Sequence, residues 1–182
     1  MWTTDRLEIS ALQMSDAAEL FAALDHPEVA TYLGGPDVES LEWLRARILR
    51  LLAGPPAGSA AVAWLNVVVR LRDSGRPVIG RLEATVYPRW AEVAWVLGAP
   101  YWGRGYGTEG ATWLIDHLEG HLGIHEQWAT ADPRNEPSLR IMRRLDFHEQ
   151  ALPARRRPES FADGDVVLAR GVDARPPLSR LP

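Results

Sequence analysis

The stretch AEVAWVLGAPYWGRGYGTEG, residues 91–110, changes character midway. Its first part is rich in β-branched and aromatic residues and reads as a strand; its second part sets Gly103, Gly105 and Gly107 at alternate positions and leads into a helix. Glycine in such a run leaves the backbone bare, which a single tight turn does not require three times over. Without side chains there, the oxygens of an anion reach successive N–H groups, and the helix opening near Thr108 adds unpaired donors and its positive end. The loop therefore reads as a cradle for a diphosphate. Arg104 either adds a charge-assisted contact or is a solvated surface group.

Outward from this loop the pattern alternates in type. RLEISAL (6–12) alternates as a strand, and the helix after it carries Leu20, Phe21 and Leu24 on one face with Ser15 as N-cap. SLEWLRARILRLLAG (40–54) repeats apolar residues at helical spacing and stops at Gly54. Three strands follow, in 61–72, 76–88 and 90–98, with RDSGRP and YPRW as the turns of an antiparallel meander. After the glycines come a helix (108–123), a strand (125–131) and a second helix (132–146), and HEQALPA and DGDVVLARGV supply two last strands. The expected fold is an α/β (α+β) single domain over residues 1–172. It has a mixed, mostly antiparallel central sheet of about seven strands, flanking helices and one β-α-β crossover, with a flexible tail at 173–182.

Gly105, Gly107 and Gly110 also spell GxGxxG, and Asp132 lies near the distance of a dinucleotide-binding acid. That reading, a nucleotide-dependent oxidoreductase, requires repeated βαβ units, and only one crossover is present.

Composition narrows the chemistry. The chain of 182 residues has no cysteine, which removes disulfides, thiolate metal sites and covalent thiol catalysis. All 20 basic residues are arginine, which excludes a Schiff-base or P-loop lysine. A net charge of −4 gives no broad basic field, so no nucleic-acid partner is expected, although Arg155, Arg156 and Arg157 form a local cluster. The longest apolar run, residues 61–69, is too short to span a bilayer, and the N-terminus has no basic-then-apolar leader. The expectation is a cytoplasmic protein with no membrane partner and no metal.

Taken together, TDRLEISAL, AEVAWVLGAPYWGRGYGTEG and ADPRNEPSLRIMRRLDF resemble the GNAT superfamily of acetyl-CoA-dependent N-acetyltransferases, and within it the RimJ/RimL-like branch. The family's pyrophosphate loop, [Q/R]-x-x-G-x-[G/A], maps onto Trp102, Gly103, Arg104, Gly105, Tyr106 and Gly107. The resemblance implies that the amides from Gly103 to Thr108 hold the pyrophosphate of coenzyme A, and that Trp95, Val96 and Leu97 pair their backbone with the pantetheine arm. Asn135 and Ser138 match the family's N-x-x-S, where the asparagine contacts the cofactor arm; Asn135 before Glu136 and Pro137 is equally an ordinary helix N-cap. The family's GF after this helix is Asp146-Phe147 here, and aspartate tolerates a left-handed turn less well than glycine.

Acetyl transfer needs an uncharged amine, a polarised thioester carbonyl and a proton for the departing thiolate. Glu92 is the candidate base: it lies in a strand otherwise apolar on both faces, so its charge is paired, exposed at an edge or used. The resemblance supports that position, and Glu83 is a weaker rival. Where many members carry a tyrosine acid this chain has Met142, so the resemblance passes the acid's role to Ser138. The acceptor is a protein N-terminus or a small amine, chosen by the first two helices and the last interstrand connection. Asp37, Glu39, Glu42, Asp163 and Asp165 either line an entrance for a cationic amine such as an aminoglycoside or are solvated. Dimerisation is common in this branch, so a homodimer is one assembly the resemblance implies. A catalytically silent acyl-CoA-binding module is the competing reading.

Overall fold

The computed structural model describes residues 1–33, 38–73, 75–152 and 158–172. The expected tail, Arg155–Arg157 and Asp37 lie outside the described residues. Strands β1 (Trp2–Thr3) and β2 (Leu7–Ala11) precede helices α1 (Ala17–Leu24), α2 (Pro27–Ala30) and α3 (Leu41–Ala53). The meander is β3 (Ala63–Leu71), β4 (Val78–Val86) and β5 (Trp90–Leu97). Then come α4 (Tyr106–Leu122), β6 (Glu126–Ala131), α5 (Glu136–Arg144), β7 (His148–Glu149) and β8 (Val166–Arg170). They form one eight-stranded sheet in the order β1-β2-β3-β4-β5-β6-β8-β7. Among the described strands only β5 and β6 pair in parallel, as the single crossover requires, so the sheet is not doubly wound and the dinucleotide-binding fold is absent.

Alternation along the strands sorts side chains onto two faces. Leu7, Ile9, Val67, Val69, Leu82, Ala91 and Val93 meet Leu114, Ile115 and Leu118 of α4, with Leu139 and Met142 of α5. Each such fully buried aliphatic side chain contributes about 1.5–3 kcal/mol relative to exposure. On the opposite face Val68, Val78 and Val96 pack under Leu20 and Leu24 of α1 and Leu44 and Ile48 of α3. Farther along that face, Tyr87, Trp90, Trp128 and Val167 form a separate aromatic cluster, with Tyr87 and Trp90 stacked 3.9 Å apart. Of the tryptophans read as core, Trp128 is buried, while Trp64, Trp95 and Trp113 are half-buried.

Helix ends are set where side chains meet their own backbone. Ser40 Oγ accepts from Trp43 N–H (3.0 Å), and Gly54 ends α3 at φ +77°. Ser15 is not the cap expected of it. It sits inside a 3-10 turn, and Asp16 two-handedly accepts Gln13 N–H (2.7 Å) and pairs with Arg70 (2.7 Å). At the end of α5, Asp146 takes φ +63°, a left-handed conformation that favours glycine. An aspartate there bears a Cβ penalty of the order of 1 kcal/mol that glycine escapes, less the entropy glycine loses on folding. Asp146→Gly should raise stability by about 0.5 kcal/mol in urea unfolding; a loss of stability would show that the exposed contact to His148 (3.0 Å) outweighs the backbone term.

Candidate active site

β5 and β6 share three residue pairs, Trp90–Glu126, Ala91–Gln127 and Glu92–Trp128, and then part. Beyond that point β5 continues to Leu97 and β6 to Ala131 without pairing to each other. The gap opens into a cleft of about 390 Å³, lined by Trp95, Val96, Leu97, Trp102, Gly103, Gly105, Gly107 and Thr108 on one side and by Asn135, Ser138, Arg140, Ile141 and Arg144 of the α5 region on the other. Val29, Tyr32 and Leu33 close its end.

The glycines earlier read as an anion cradle are set by backbone geometry. Gly103 (φ +72°) and Gly105 (φ +83°) are left-handed, a region that side chains rarely adopt. Gly105 is the N-cap of α4, and the first helical hydrogen bond runs from Glu109 N–H to Gly105 C=O (3.0 Å), so the amides of Tyr106, Gly107 and Thr108 precede the helical ladder. A Cβ on Gly107 would meet Ile141 Cδ1 at 3.0 Å, so its bareness lets α5 approach the loop. A Cβ on Gly105 would meet the Arg6 guanidinium (3.2 Å), so its lack of a side chain lets Arg6 close on the loop.

That support is a clamp from the chain's start. Arg6 donates to the Arg104 carbonyl (2.9 Å), pairs with Glu109 (2.7 Å) and lies over the Tyr106 ring at 4.7 Å. Glu109 also accepts from Arg6 N–H (2.8 Å) and Thr4 Oγ1 (2.5 Å). Burial would raise the Glu109 pKa, but the hydrogen bonds from Thr4 and Arg6 and the Arg6 charge outweigh it and hold the carboxyl below its ordinary value.

Of the other expected residues, the Leu97 carbonyl already accepts from Trp102 Nε1 (2.6 Å), which ties the loop to β5. Asn135 Oδ1 accepts from Ser138 N–H (3.2 Å) and caps α5, and both residues line the cleft. Glu92 is buried and does not line the cleft; its oxygens accept from Glu159 N–H (2.7 Å), Ser160 N–H (2.8 Å) and Ser160 Oγ. Glu83 opposes its own desolvation with Arg81 and Arg47, which hold its carboxyl below the ordinary value and make it a poor proton acceptor. Of the acidic residues read either as an entrance or as solvated surface, Glu42 faces Arg45 (3.9 Å) and Asp165 accepts Ala162 N–H (3.0 Å), and Glu39, Glu42, Asp163 and Asp165 do not line the cleft. Sequence reasoning missed Arg140 and Arg144, which lie four apart on α5 and make no ion pair among the described residues; their spacing two and six residues after Ser138 was the available signal.

A parted parallel strand pair, a bare-amide loop at a helix N-terminus and a cleft beside them define a GNAT-type domain. The family described as "Acetyltransferase (GNAT) domain" matches residues 6–148, and the chain belongs to it. It is 26% identical over 152 residues to the uncharacterized N-acetyltransferase p20 of Bacillus licheniformis, covering 82% of this chain and 83% of that one. Its fold matches a GNAT-family acetyltransferase from Bacillus anthracis (TM-score 0.71, 20% identity, 92% of this chain and 95% of that one). It also matches the ribosomal-protein-S5-alanine acetyltransferase of Vibrio fischeri (TM-score 0.71, 20% identity, 97% and 98%). Among the described residues no helix is long and apolar enough to cross a membrane.

Because the Glu109 carboxyl is depressed in the folded chain, its stabilisation is full above the unfolded value near about 4.3 and is lost as pH falls through the lower folded value. The melting-temperature difference between the native chain and Glu109→Gln should therefore be widest at neutral pH and close below about pH 4. A difference that does not change with pH would remove the ionised clamp from the stability of this region.

Proposed function

We propose that this chain transfers an acetyl group from acetyl-CoA to a primary amine, a protein N-terminus or a small-molecule amine, by direct attack in a ternary complex. The observation that carries this reading is the cleft between the parted strands, with unladdered amides at one end, two arginines along one wall and an open strand edge at its side. When bound, the donor supplies a thioester acyl group and a thiolate leaving group. The amides from Gly103 to Thr108 hold its pyrophosphate, with Arg104, Arg140 and Arg144 adding charge-assisted contacts to its phosphates. The edge of β5 at Trp95, Val96 and Leu97 pairs with the pantetheine arm, Trp102 fixing the Leu97 carbonyl and Asn135 offering its free amide. Ser138 returns a proton to the departing sulfur, and Glu92 takes one from the attacking amine.

We assign the chain to the RimJ/RimL-like branch, acting in the cytoplasm and assembling as a homodimer, as that branch commonly does. The Vibrio fischeri neighbour's acceptor, an alanine of a ribosomal protein, makes an N-terminal alanyl peptide the first acceptor to try. Free coenzyme A release should be measured with that peptide, spermidine and kanamycin side by side. Thiol release matched by one acetyl per acceptor in mass spectrometry is the expected result; tight acetyl-CoA binding with no thiol release from any amine would make this a silent binding module.

Gly105→Val tests the loop. Valine resists φ +83° and its Cβ would displace Arg6, so acetyl-CoA affinity by calorimetry should fall at least about 10-fold. Normal affinity would take the loop out of cofactor binding.

A further inference from the structure

Glu92 presents a difficulty for any proton-accepting role: it is 6% exposed, lies off the cleft and has both oxygens engaged. The groups that engage it supply the way in. Ser160 has one hydroxyl hydrogen, and it is donated to Glu92 Oε1. Thr130 Oγ1 lies 2.8 Å from Ser160 Oγ. Since Ser160 has already spent its hydrogen on Glu92, Thr130 must be the donor in that second bond. The order of donation is therefore fixed, from Thr130 to Ser160 to Glu92, and the lone pairs of Thr130 Oγ1 are the chain's open end.

The position of that end follows from the register. Glu92 and Trp128 are partners in the last parallel pair, so their side chains share a sheet face, and Thr130, two residues on, shares it too. Thr130 is thus the first residue on this face of β6 past the point where the strands part, and it is half-buried where Trp128 is buried. Tyr87 and Glu159 are the titratable groups beside Glu92. Tyr87 donates to Glu159 (3.2 Å), and burial together with the Glu159 charge raises its pKa, so it stays protonated and takes no proton.

We infer that Thr130 and Ser160 form a hydroxyl relay that carries the acceptor's proton from the mouth of the strand gap to buried Glu92. The inference rests on the acetyltransferase reading above. The acceptor ammonium gives its proton to Thr130 Oγ1 while Thr130 passes its own to Ser160 and Ser160 passes its own to Glu92 Oε1. One proton moves in all, from nitrogen to carboxylate, both hydroxyls reverse their direction of donation, and the amine is left with the lone pair that attack requires.

Glu92→Gln alone cannot test this, because its NH2 would face the Glu159 and Ser160 amides and could loosen the loop. Thr130→Val keeps shape and strand preference and removes only the hydroxyl, and Thr130→Ser restores it. With the alanyl peptide, or with acceptor-free acetyl-CoA hydrolysis where water replaces the amine, Thr130→Val and Ser160→Ala should each lower kcat about 10–100-fold, with Thr130→Ser near the native rate. Acetyl-CoA affinity by calorimetry and amide hydrogen exchange at 158–161 should be unchanged in Thr130→Val. The curved proton inventory expected of the native enzyme in mixed H2O and D2O should straighten in Thr130→Val. Native kcat and inventory in Thr130→Val overturn the relay alone, as does a loss of rate that tracks faster exchange in the loop. Absence of both amine transfer and hydrolysis in the native chain overturns the acetyltransferase reading and the relay with it.

Discussion

Two parallel strands that pair for three residues and then diverge inside an eight-stranded sheet leave ladder groups without partners at its centre. A buried polar group left unpaired costs about 1–3 kcal/mol, so such a gap persists only where water, a side chain or a ligand answers it and where each strand is held from its other side. β5 is held by seven register pairs to β4, and its end is secured by Gly98 N–H to Ile79 C=O (2.9 Å). β6 is held over Gln127–Ala131 by β8, its partner on the far side. The Trp102 indole answers one of the freed carbonyls, that of Leu97. The remaining edge at Trp95, Val96 and Leu97 lines the cleft, and an extended arm pairing there is the ligand we propose for it.

Everything at the mouth of that gap is assembled from distant parts of the chain. Arg6 grips a carbonyl and a carboxylate about a hundred residues away, which fixes the direction in which the loop's amides point. Gly107 lets α5 close in through Ile141, and α5 carries Arg140 and Arg144 to the same cleft. The clamp and the helix thus act on opposite sides of one loop. Both contacts hold the loop in place, the arrangement that the proposed anion contacts require.

How much of this could be read beforehand follows the range of the interaction. The glycine run at 103–107 was legible because a bare backbone is a property of the residues themselves, and Gly54 as a helix stop because a cap is settled within a few positions; the Ser40 cap was not read. The meander was legible from alternation and from its turns. The place of β8 between β6 and β7 was not, since pairing order is a long-range choice that no local signal carries. The four-residue helix at Pro27–Ala30 is too short to establish a period. The partners of Glu92 were hidden for another reason: two of the three are main-chain N–H groups, which every non-proline residue offers alike. Ser15 lies inside the 3-10 turn Met14–Asp16, and Asp16 holds the N-cap position of α1 without a side-chain cap bond, its carboxylate engaged by Gln13 N–H and by Arg70 on β3, 54 positions away.

The two carboxylates on the polar stretch of the sheet, Glu83 and Glu92, show why position alone does not select a base. Both lie on the face opposite α4, with Thr85 linking their registers: Glu83 pairs with Ala94, and Thr85 pairs with Glu92. Glu83 is bound by Arg47 and Arg81, so protonating it would dissolve two ion pairs in a poorly solvated place. Among the described residues Glu92 has no cationic partner; amide dipoles and one hydroxyl engage it instead. An ammonium arriving at Thr130 would also meet the negative charge of Glu92 along a short path of hydroxyls, an attraction that favours its approach.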